Sequence, residues 1–200
     1  TLGVAAFTAL QALRDPGQVQ PGHSVLINGA GGGVGTFAVQ LAKWMGAEVT
    51  AVSRSTNLDR LRSIGADHVI DYAREDFTTR TEQFDLILDM HPRRSPGSYK
   101  RSLRSGGIAL TVGFGGMGRL IAVAVRGKVK PRSAKKQVGF LVAKANPKDL
   151  ATLADLAASG RLRPVIDRRY ALQDVPEAIR YVEAEQSFGK VVINVDGPTP

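Results

Sequence analysis

Cysteine is absent from this 200-residue chain. Without thiols the chain cannot form disulfides, and it cannot supply the thiolates on which structural zinc sites usually depend. No apolar run approaches the roughly 20 residues that a bilayer-spanning helix needs, and the N-terminus lacks the basic-then-apolar order of a signal peptide. We therefore expect a cytoplasmic protein that binds no metal ion and contacts no membrane.

Acidic side chains are missing from one long stretch of the chain. Residues 90–148 contain fourteen Lys or Arg and no Asp or Glu, whereas the other residues carry thirteen basic and eighteen acidic side chains, a net charge of −5. Such a stretch attracts polyanions, among them a phosphorylated cofactor, an acidic partner or nucleic acid, unless it is a solvated surface without a partner. Aromatic residues are scarce between Arg119 and Lys136, with Phe114 and Phe140 only at the edges, which disfavours nucleic acid because bases have little to stack on.

What is present is a regular alternation of apolar strands and amphipathic helices. At this length the chain can bury one core, and the alternation predicts a single Rossmann domain over residues 1–200. Its α/β fold would be a doubly wound parallel sheet of about six strands with helices on both faces. The predicted strands are Ser24–Asn28, Glu48–Ser53, His68–Asp71, Asp85–Asp89, Gly107–Gly113 and Gln137–Ala143, with an extended segment Val165–Tyr170 and a closing strand over 189–195. The predicted helices are an entry helix over 1–14, Val34–Met45, Leu58–Ile64, Ser98–Leu103, Pro147–Ala158 and Val175–Glu185.

A glycine turn joins the first strand to its helix, in the segment Asn28–Gly35. Without Cβ atoms at Gly32 and Gly33, a pyrophosphate can approach the main-chain N–H groups and the positive end of the helix dipole. Gly35 would allow the helix to pack closely on the sheet. The position of the turn, between an apolar strand and a long helix, favours dinucleotide binding over an ordinary structural turn.

Two other nucleotide-binding classes also use such turns. A P-loop needs Gly-Lys-Ser/Thr, but this helix opens with Val34-Gly35-Thr36 and its first lysine is Lys43. A methyltransferase would usually have an acid at the end of the second strand, where this chain reads Ser53-Arg54-Ser55. Because no carboxylate there repels a phosphate and Arg54 stands beside it, the sequence predicts NADPH rather than NADH. The alternative for Arg54 is a surface arginine without a ligand.

Several stretches together resemble the zinc-independent quinone oxidoreductase branch of the medium-chain dehydrogenase/reductase superfamily, which includes the reticulon-interacting oxidoreductases. The likeness extends over nearly the whole chain and is weakest over residues 90–136. The stretches are Ala9–Arg14, Val25–Ala30, Gly32–Lys43, Gly65–Tyr72 and Gly189–Ile193.

The resemblance implies a cofactor-binding Rossmann domain, and we expect the barrel-like N-terminal domain of such proteins to be absent from these residues. It also implies NADPH-dependent reduction of a quinone, or of the activated C=C or C=O bond of an enone, without metal. A homodimer formed through the last strands of the sheet is compatible with it.

The resemblance also carries site residues. It implies that Thr8 lies by the nicotinamide, that Tyr72 flanks the 2′-phosphate and that Lys190 lies close to the pyrophosphate. The alternatives are that Thr8 is an ordinary helix residue, that Tyr72 is a half-buried aromatic and that Lys190 is a solvated charge. The predicted cofactor-binding set is Ala30, Gly32, Gly33, Val34, Ser53, Arg54, Tyr72, Gly113 and Lys190.

The chain departs from the family pattern in two places. Asn57 replaces a lysine, so that Arg54 must carry more of the phosphate charge. Met90–Arg94 stands where the family usually has Asn and Gly, and its proline removes an N–H and restricts the backbone at the nicotinamide end.

Catalytic side chains are few in the sequence. Hydride transfer depends largely on positioning, so few catalytic groups are expected. The candidates for a catalytic role are Thr8 and His91. His91 would donate a proton at the end of a strand, and the alternative is an ordinary loop histidine. No metal-ligand spacing, paired carboxylates or Ser/His/Asp set stands out. The competing hypotheses are a non-catalytic dinucleotide-binding domain, a basic interaction module using Arg119–Lys136, and a purely structural domain.

Overall fold

The computed structural model describes residues 2–112 and 135–195. It contains a six-stranded sheet in the order β3-β2-β1-β4-β5-β6, with every pairing parallel, so the predicted doubly wound Rossmann fold is confirmed. Its strands are β1 Ser24–Asn28, β2 Glu48–Ser53, β3 His68–Asp71, β4 Phe84–Asp89, β5 Leu103–Val112 and β6 Gln137–Leu141. The helices of the described residues are α1 Gly3–Arg14, α2 Gly35–Trp44, α3 Leu58–Ser63, α4 Pro96–Ser102, α5 Pro147–Ala158 and α6 Val175–Glu183.

Alternation along the central strands places apolar side chains on both faces of the sheet. In β1, Leu26 packs in one hydrophobic cluster while Val25 and Ile27 pack in the other. In β4, Ile87 belongs to the first of these clusters and the residues on either side belong to the second. Since side chains point to opposite faces every second residue, a continuous apolar run is what a strand covered by helices on both sides requires.

A second, two-stranded parallel sheet follows the large one. It pairs β7 Ile166–Ala171 with β8 Lys190–Asn194, and α6 lies between them in the chain. The closing strand predicted over 189–195 therefore pairs with β7 and not with the large sheet. We call residues 166–194 the β7–α6–β8 unit.

The N-terminal helix is joined to α5 by a buried carboxylate. Asp149 accepts hydrogen bonds from Gln11 Nε2 at 2.6 Å and Asn146 Nδ2 at 2.7 Å, and it forms an ion pair with Arg14. The hydrogen bond from Arg14, with those from Gln11 and Asn146, outweighs burial and lowers the pKa of Asp149 to about 2. Asn146 also caps α5 by accepting from the Asp149 N–H at 2.8 Å, as the sequence predicts.

Helix α4 begins two residues before the prediction. Ser95 Oγ accepts from the Ser98 N–H at 3.2 Å and Pro96 occupies the first helical position, so the helix starts at an N-cap and proline pair that the sequence already contains.

Gly113 and residues 119–134 of the predicted basic segment lie outside the described residues. Among the helices of the described residues, none has the length and apolar character that crossing a bilayer would require.

Candidate functional site

The carboxyl ends of four neighbouring strands meet at one edge of the large sheet. Asn28 of β1 lies beside Asp89 of β4, and Ser53 of β2 lies beside Asp71 of β3. Parallel α/β sheets bind their ligands at this edge, next to the point where the strand order reverses. A cavity of about 710 Å³ opens there. It is lined by Asn28, Gly29, Gly31, Gly32, Gly33, Val52, Ser53, Arg54, Asn57, Tyr72, Glu75, Phe77, His91, Arg93, Arg94, Val182, Ala184, Glu185 and Ser187.

The glycine turn forms one wall of the cavity, and its shape depends on missing side chains. A Cβ at Gly31 would lie 2.7 Å from Asn57 Nδ2 and 2.9 Å from Ser53 Oγ, and a Cβ at Gly33 would lie 2.7 Å from Lys190 Nζ. At Gly35 a Cβ would clash with the backbone at the start of the turn, where helix and sheet approach each other as predicted. The first turn of α2 carries no acidic residue, so no side chain of that turn opposes an anion at the positive end of the helix dipole.

Lys190 supplies a cation to this wall from the β7–α6–β8 unit. Its N–H donates to Val165 O at 2.8 Å and the preceding Gly189 N–H donates to Gly31 O at 2.8 Å, which attaches the start of β8 to the turn. The side chain is half-buried, and burial lowers the pKa of Lys190. A bound anion would offset that desolvation, because an opposite charge nearby favours the protonated amine.

The end of β2 forms the next part of the wall. Ser53 is buried and its Oγ accepts from Asn57 Nδ2 at 3.1 Å. Arg54 is half-buried, and its Nη2 donates to the carbonyl oxygen of Glu185, so its guanidinium lies between the large sheet and the β7–α6–β8 unit. The absence of a carboxylate side chain at the end of β2 and the presence of Arg54 favour a phosphate over a ribose hydroxyl at this position.

The segment after β3 supplies aromatic groups to the same cavity. Tyr72 is 59% exposed, whereas Phe77 is buried in the core, and both line the cavity. Glu75, which stands between them, forms an ion pair with Arg80 at 2.6 Å and so presents a neutralised carboxylate. This arrangement offers apolar surface to a planar ring, which is what a nucleobase needs.

Asp89, at the end of β4, holds the following loop against the glycine turn. It is 1% exposed and accepts hydrogen bonds from Asn28 Nδ2 at 2.8 Å, from the His91 N–H at 2.8 Å and from the Tyr99 hydroxyl at 2.6 Å. Because these donors come from three segments, the carboxylate joins β1, the β4 loop and α4. The sequence prediction missed this role, although a lone acid ending an apolar strand was a visible signal.

The predicted site residues do not all meet in the cavity. Thr8 is buried inside α1, where its Oγ1 donates to Val4 O at 2.7 Å, and it does not line the cavity. Ala30 and Val34 belong to the turn but pack inward, and Lys190 lies against Gly33. Gly113 lies outside the described residues. Those that line the cavity are Gly32, Gly33, Ser53, Arg54, Tyr72 and His91.

Other lining residues were not predicted. Those of the α6–β8 loop come from far along the chain, and no local pattern marks them as part of a ligand site. Asn57, Arg93 and Arg94 stand where the sequence departs from the family pattern, which was a signal that those positions differ in function. The unpredicted lining residues from this part of the chain are Val182 in the last turn of α6 and Ala184, Glu185 and Ser187 in the α6–β8 loop.

Comparison with known proteins bears on this geometry. Residues 64–193 match the family model described as "Zinc-binding dehydrogenase". The chain belongs to this family, within the medium-chain dehydrogenase/reductase superfamily. The resemblance to the medium-chain dehydrogenase/reductase superfamily inferred from the sequence is thereby confirmed.

Individual relatives agree with this assignment. The chain is 32% identical to mouse "NAD(P)H oxidoreductase RTN4IP1, mitochondrial", covering 98% of this chain and 54% of that protein. It is 32% identical to tomato 2-methylene-furan-3-one reductase, covering 96% and 45%. The structure of the quinone oxidoreductase from Coxiella burnetii superposes with a TM-score of 0.79 at 31% identity, covering 96% of this chain and 58% of that one. The chain thus spans about half the length of these relatives.

The described residues offer no group that fits a zinc ion, despite the name of the family. The sequence has no cysteine. In residues 2–112 and 135–195, no three His, Asp or Glu side chains lie together in a way that could hold a metal. They do fit a nicotinamide dinucleotide, since the turn at Gly31–Gly33 is a cradle that any side chain would fill.

Proposed function

We propose that this chain is the cofactor-binding domain of an NADPH-dependent oxidoreductase that transfers hydride to a quinone or to an activated C=C or C=O bond without metal. The observation that carries the proposal is the pairing of the glycine cradle with two cations, Lys190 at Gly33 and Arg54 at the end of β2. An anion site beside the turn would suit a pyrophosphate, and a second at the end of β2 would suit a 2′-phosphate.

Each group of the cavity has a task in this proposal. The Gly33 N–H and the Lys190 ammonium would hold the pyrophosphate, while Arg54 and Tyr72 would hold the 2′-phosphate. Asp89 positions the Met90–Arg94 loop by fixing its backbone. When bound, the cofactor supplies a hydride from its nicotinamide, and the chain contributes orientation and exclusion of water, which can account for much of such a rate.

The substrate class rests on what the relatives are named for. The tomato protein is a 2-methylene-furan-3-one reductase, an Aspergillus terreus relative is a trans-enoyl reductase, and the Coxiella protein is a quinone oxidoreductase. These substrates share an electron-poor carbon conjugated to a carbonyl. We therefore propose enones and quinones as the first substrates to test with the whole protein.

Calorimetric titration with NADPH and NADH tests the cofactor proposal. We expect NADPH to bind at least about tenfold more tightly, because a charge-assisted contact to the 2′-phosphate contributes about 1.5 kcal/mol or more. Arg54→Ala should remove most of that preference and leave NADH binding unchanged. Arg62→Ala is the matched control, since Arg62 pairs with Asp59 on the exposed face of α3 and does not line the cavity.

Two outcomes would contradict the proposal. If neither nucleotide binds at millimolar concentration, the site is not a dinucleotide site. If NADH binds as tightly as NADPH and Arg54→Ala changes neither, Arg54 is a surface arginine and the 2′-phosphate assignment is wrong.

The metal-free reaction, a cytoplasmic location and a homodimer belong to the same proposal. The name of the mouse relative places that protein in mitochondria, so fractionation of the source cells is the direct test of location. Dialysis against a chelator should leave NADPH affinity and turnover of the whole protein unchanged. Sedimentation of the same preparation reports the oligomeric state.

A further inference from the structure

His91 lies against Gly29, the first glycine of the turn. A Cβ at Gly29 would be 2.6 Å from His91 Cδ2, 3.3 Å from His91 Nε2 and 3.1 Å from Met90 Cβ, so the imidazole occupies the space that a side chain at this position would take. Gly29 also has a φ of +78°, which favours glycine there in any case. The imidazole is exposed and lines the cavity.

The loop that carries His91 is anchored on both sides of the residue. On one side the buried carboxylate of Asp89 accepts from the His91 N–H at 2.8 Å. On the other side Pro92 is buried. The backbone is therefore held while the ring faces the cavity, which is the arrangement expected of a ligand-binding side chain.

The charges around His91 favour an anion. In the β4 loop, Arg94 forms an ion pair with Asp76 at 2.7 Å, and after β3, Glu75 forms one with Arg80 at 2.6 Å, so two of the nearby carboxylates are already neutralised. The charged and titratable groups that line the cavity with His91 are Arg93 and Arg94 from the loop after β4, Arg54 from the end of β2, Tyr72 and Glu75 from the segment after β3, and Glu185 from the β7–α6–β8 unit. Three further groups contact lining residues: Asp89 accepts from the His91 N–H, Asp76 pairs with Arg94, and Lys190 lies against Gly33.

We propose that His91 is an anion ligand of this site and that its protonation tightens binding of the cofactor's pyrophosphate. This inference rests on the proposed dinucleotide function and assigns His91 to binding, not to proton transfer. Imidazole changes charge near pH 6.5 when unperturbed, so it is the side-chain type that can link affinity to physiological pH. An anion favours the imidazolium over the neutral imidazole, and we therefore expect affinity to rise as the pH falls.

ADP-ribose is the probe that isolates this effect. It carries the pyrophosphate but has neither the 2′-phosphate, whose own second proton would titrate near pH 6, nor a nicotinamide. Calorimetric titrations between pH 5.5 and 8.0 should show about fivefold tighter binding at the acid end, as expected when a hydrogen bond gains a charge. Titrations at pH 6.5 in two buffers of different ionisation enthalpy should show proton uptake on binding.

Variants at two histidines separate the sources of any pH dependence. His91→Gln should bind at every pH as weakly as the native chain does at pH 8.0 and should take up no proton. His91→Lys keeps a charge throughout this range, so its binding should be pH-independent as well but tighter than that of His91→Gln. His68→Gln is the matched control, because His68 is exposed on β3, pairs with Glu48 at 2.9 Å and does not line the cavity. It should keep the native pH profile.

The outcomes distinguish this inference from the function on which it rests. Tight ADP-ribose binding with a flat pH profile, or a native profile retained in His91→Gln, overturns the role of His91 and leaves the dinucleotide site standing. If neither ADP-ribose nor NADPH binds at any pH, both proposals are wrong.

Discussion

The two walls of the cavity are built in different ways. The glycine-turn wall stands on the central strands of the large sheet, where Val25, Leu26 and Ile27 are fully buried. The opposite wall belongs to the β7–α6–β8 unit, whose strand residues are at best half-buried and whose helix exposes Ile179 at 52%. The first wall is positioned by backbone geometry over a core, whereas the second is positioned by a few contacts.

Those contacts are specific. Gly189 N–H donates to Gly31 O, Arg60 forms an ion pair with Asp167 at 3.1 Å, and the Arg60 guanidinium lies 4.0 Å from the centre of the Phe188 ring. Because local stability follows the number of buried apolar contacts, we expect the β7–α6–β8 unit to open more readily than the large sheet. A change in the first wall should thus affect the whole fold, and a change in the second should affect the site first.

The largest effect is expected at Gly35. Gly35→Ala places a Cβ against the backbone of Gly29 and Ala30, which cannot move without shifting β1 or α2. We expect the free energy of unfolding to fall by about 3 kcal/mol or more. Gly97→Ala is the control, since the nearest atom to its Cβ would be 3.8 Å away and urea unfolding should be nearly unchanged. Equal effects of the two substitutions would contradict the backbone-built wall.

The next effect concerns the attachment of the second wall. Phe188 is 1% exposed, and its truncation to Ala should cost about 3 kcal/mol of local stability. Hydrogen exchange should then accelerate in β7 and β8 more than in β1 and β4, with weaker NADPH binding. Leu172→Ala, at a side chain exposed before α6, should change neither. Uniform acceleration across both sheets would show that the two walls unfold as one unit.

The next effect concerns the stability at low pH of the part of the fold that Asp149 holds together. Its pKa is lowered to about 2, against about 3.9 for an unfolded Asp, so its contribution of about 2 kcal/mol is complete above pH 4 and is lost as the pH falls toward 2. Urea unfolding between pH 7 and pH 2 should show this loss, and Asp149→Asn should remove it. Asp15→Asn, at the exposed partner of Arg14, should behave like the native chain. A native-like acid profile in Asp149→Asn would contradict the assignment.

The smallest effect is expected at Arg60, whose half-exposed side chain contacts Asp167 and Phe188 of the β7–α6–β8 unit. Arg60→Met removes the ion pair to Asp167 and the contact with Phe188, and we expect a loss of about 1 kcal/mol, measured by urea unfolding. Arg62→Met, in an ion pair with the exposed Asp59, should cost less than about 0.5 kcal/mol. If Arg62→Met costs as much, the contacts of Arg60 do not attach the β7–α6–β8 unit.

Much of the first wall could be predicted from local sequence. The apolar run of β1, the glycines after it and the absence of an acid at Ser53–Ser55 are all neighbours in the chain, and their physical consequences are local. The start of α4 could also have been found, because Ser95 and Pro96 form an N-cap and first-turn pair.

The second wall could not be predicted in the same way. Arg54 donates to the carbonyl oxygen of Glu185. Every residue has such a carbonyl, so no sequence pattern marks this partner. The place that the resemblance gives Thr8, near the nicotinamide, stays a prediction, since the structure shows only that its hydroxyl donates to Val4 O within α1.

The sequence by itself determined the order of strands and helices, the glycine turn and the charge at the end of β2, because periodicity and backbone freedom act between neighbouring residues. Only the tertiary structure decided that Lys190 lies over Gly33, that Asp89 holds the β4 loop and that His91 faces the cavity. These juxtapositions depend on how distant segments pack, and packing is decided by the whole core at once.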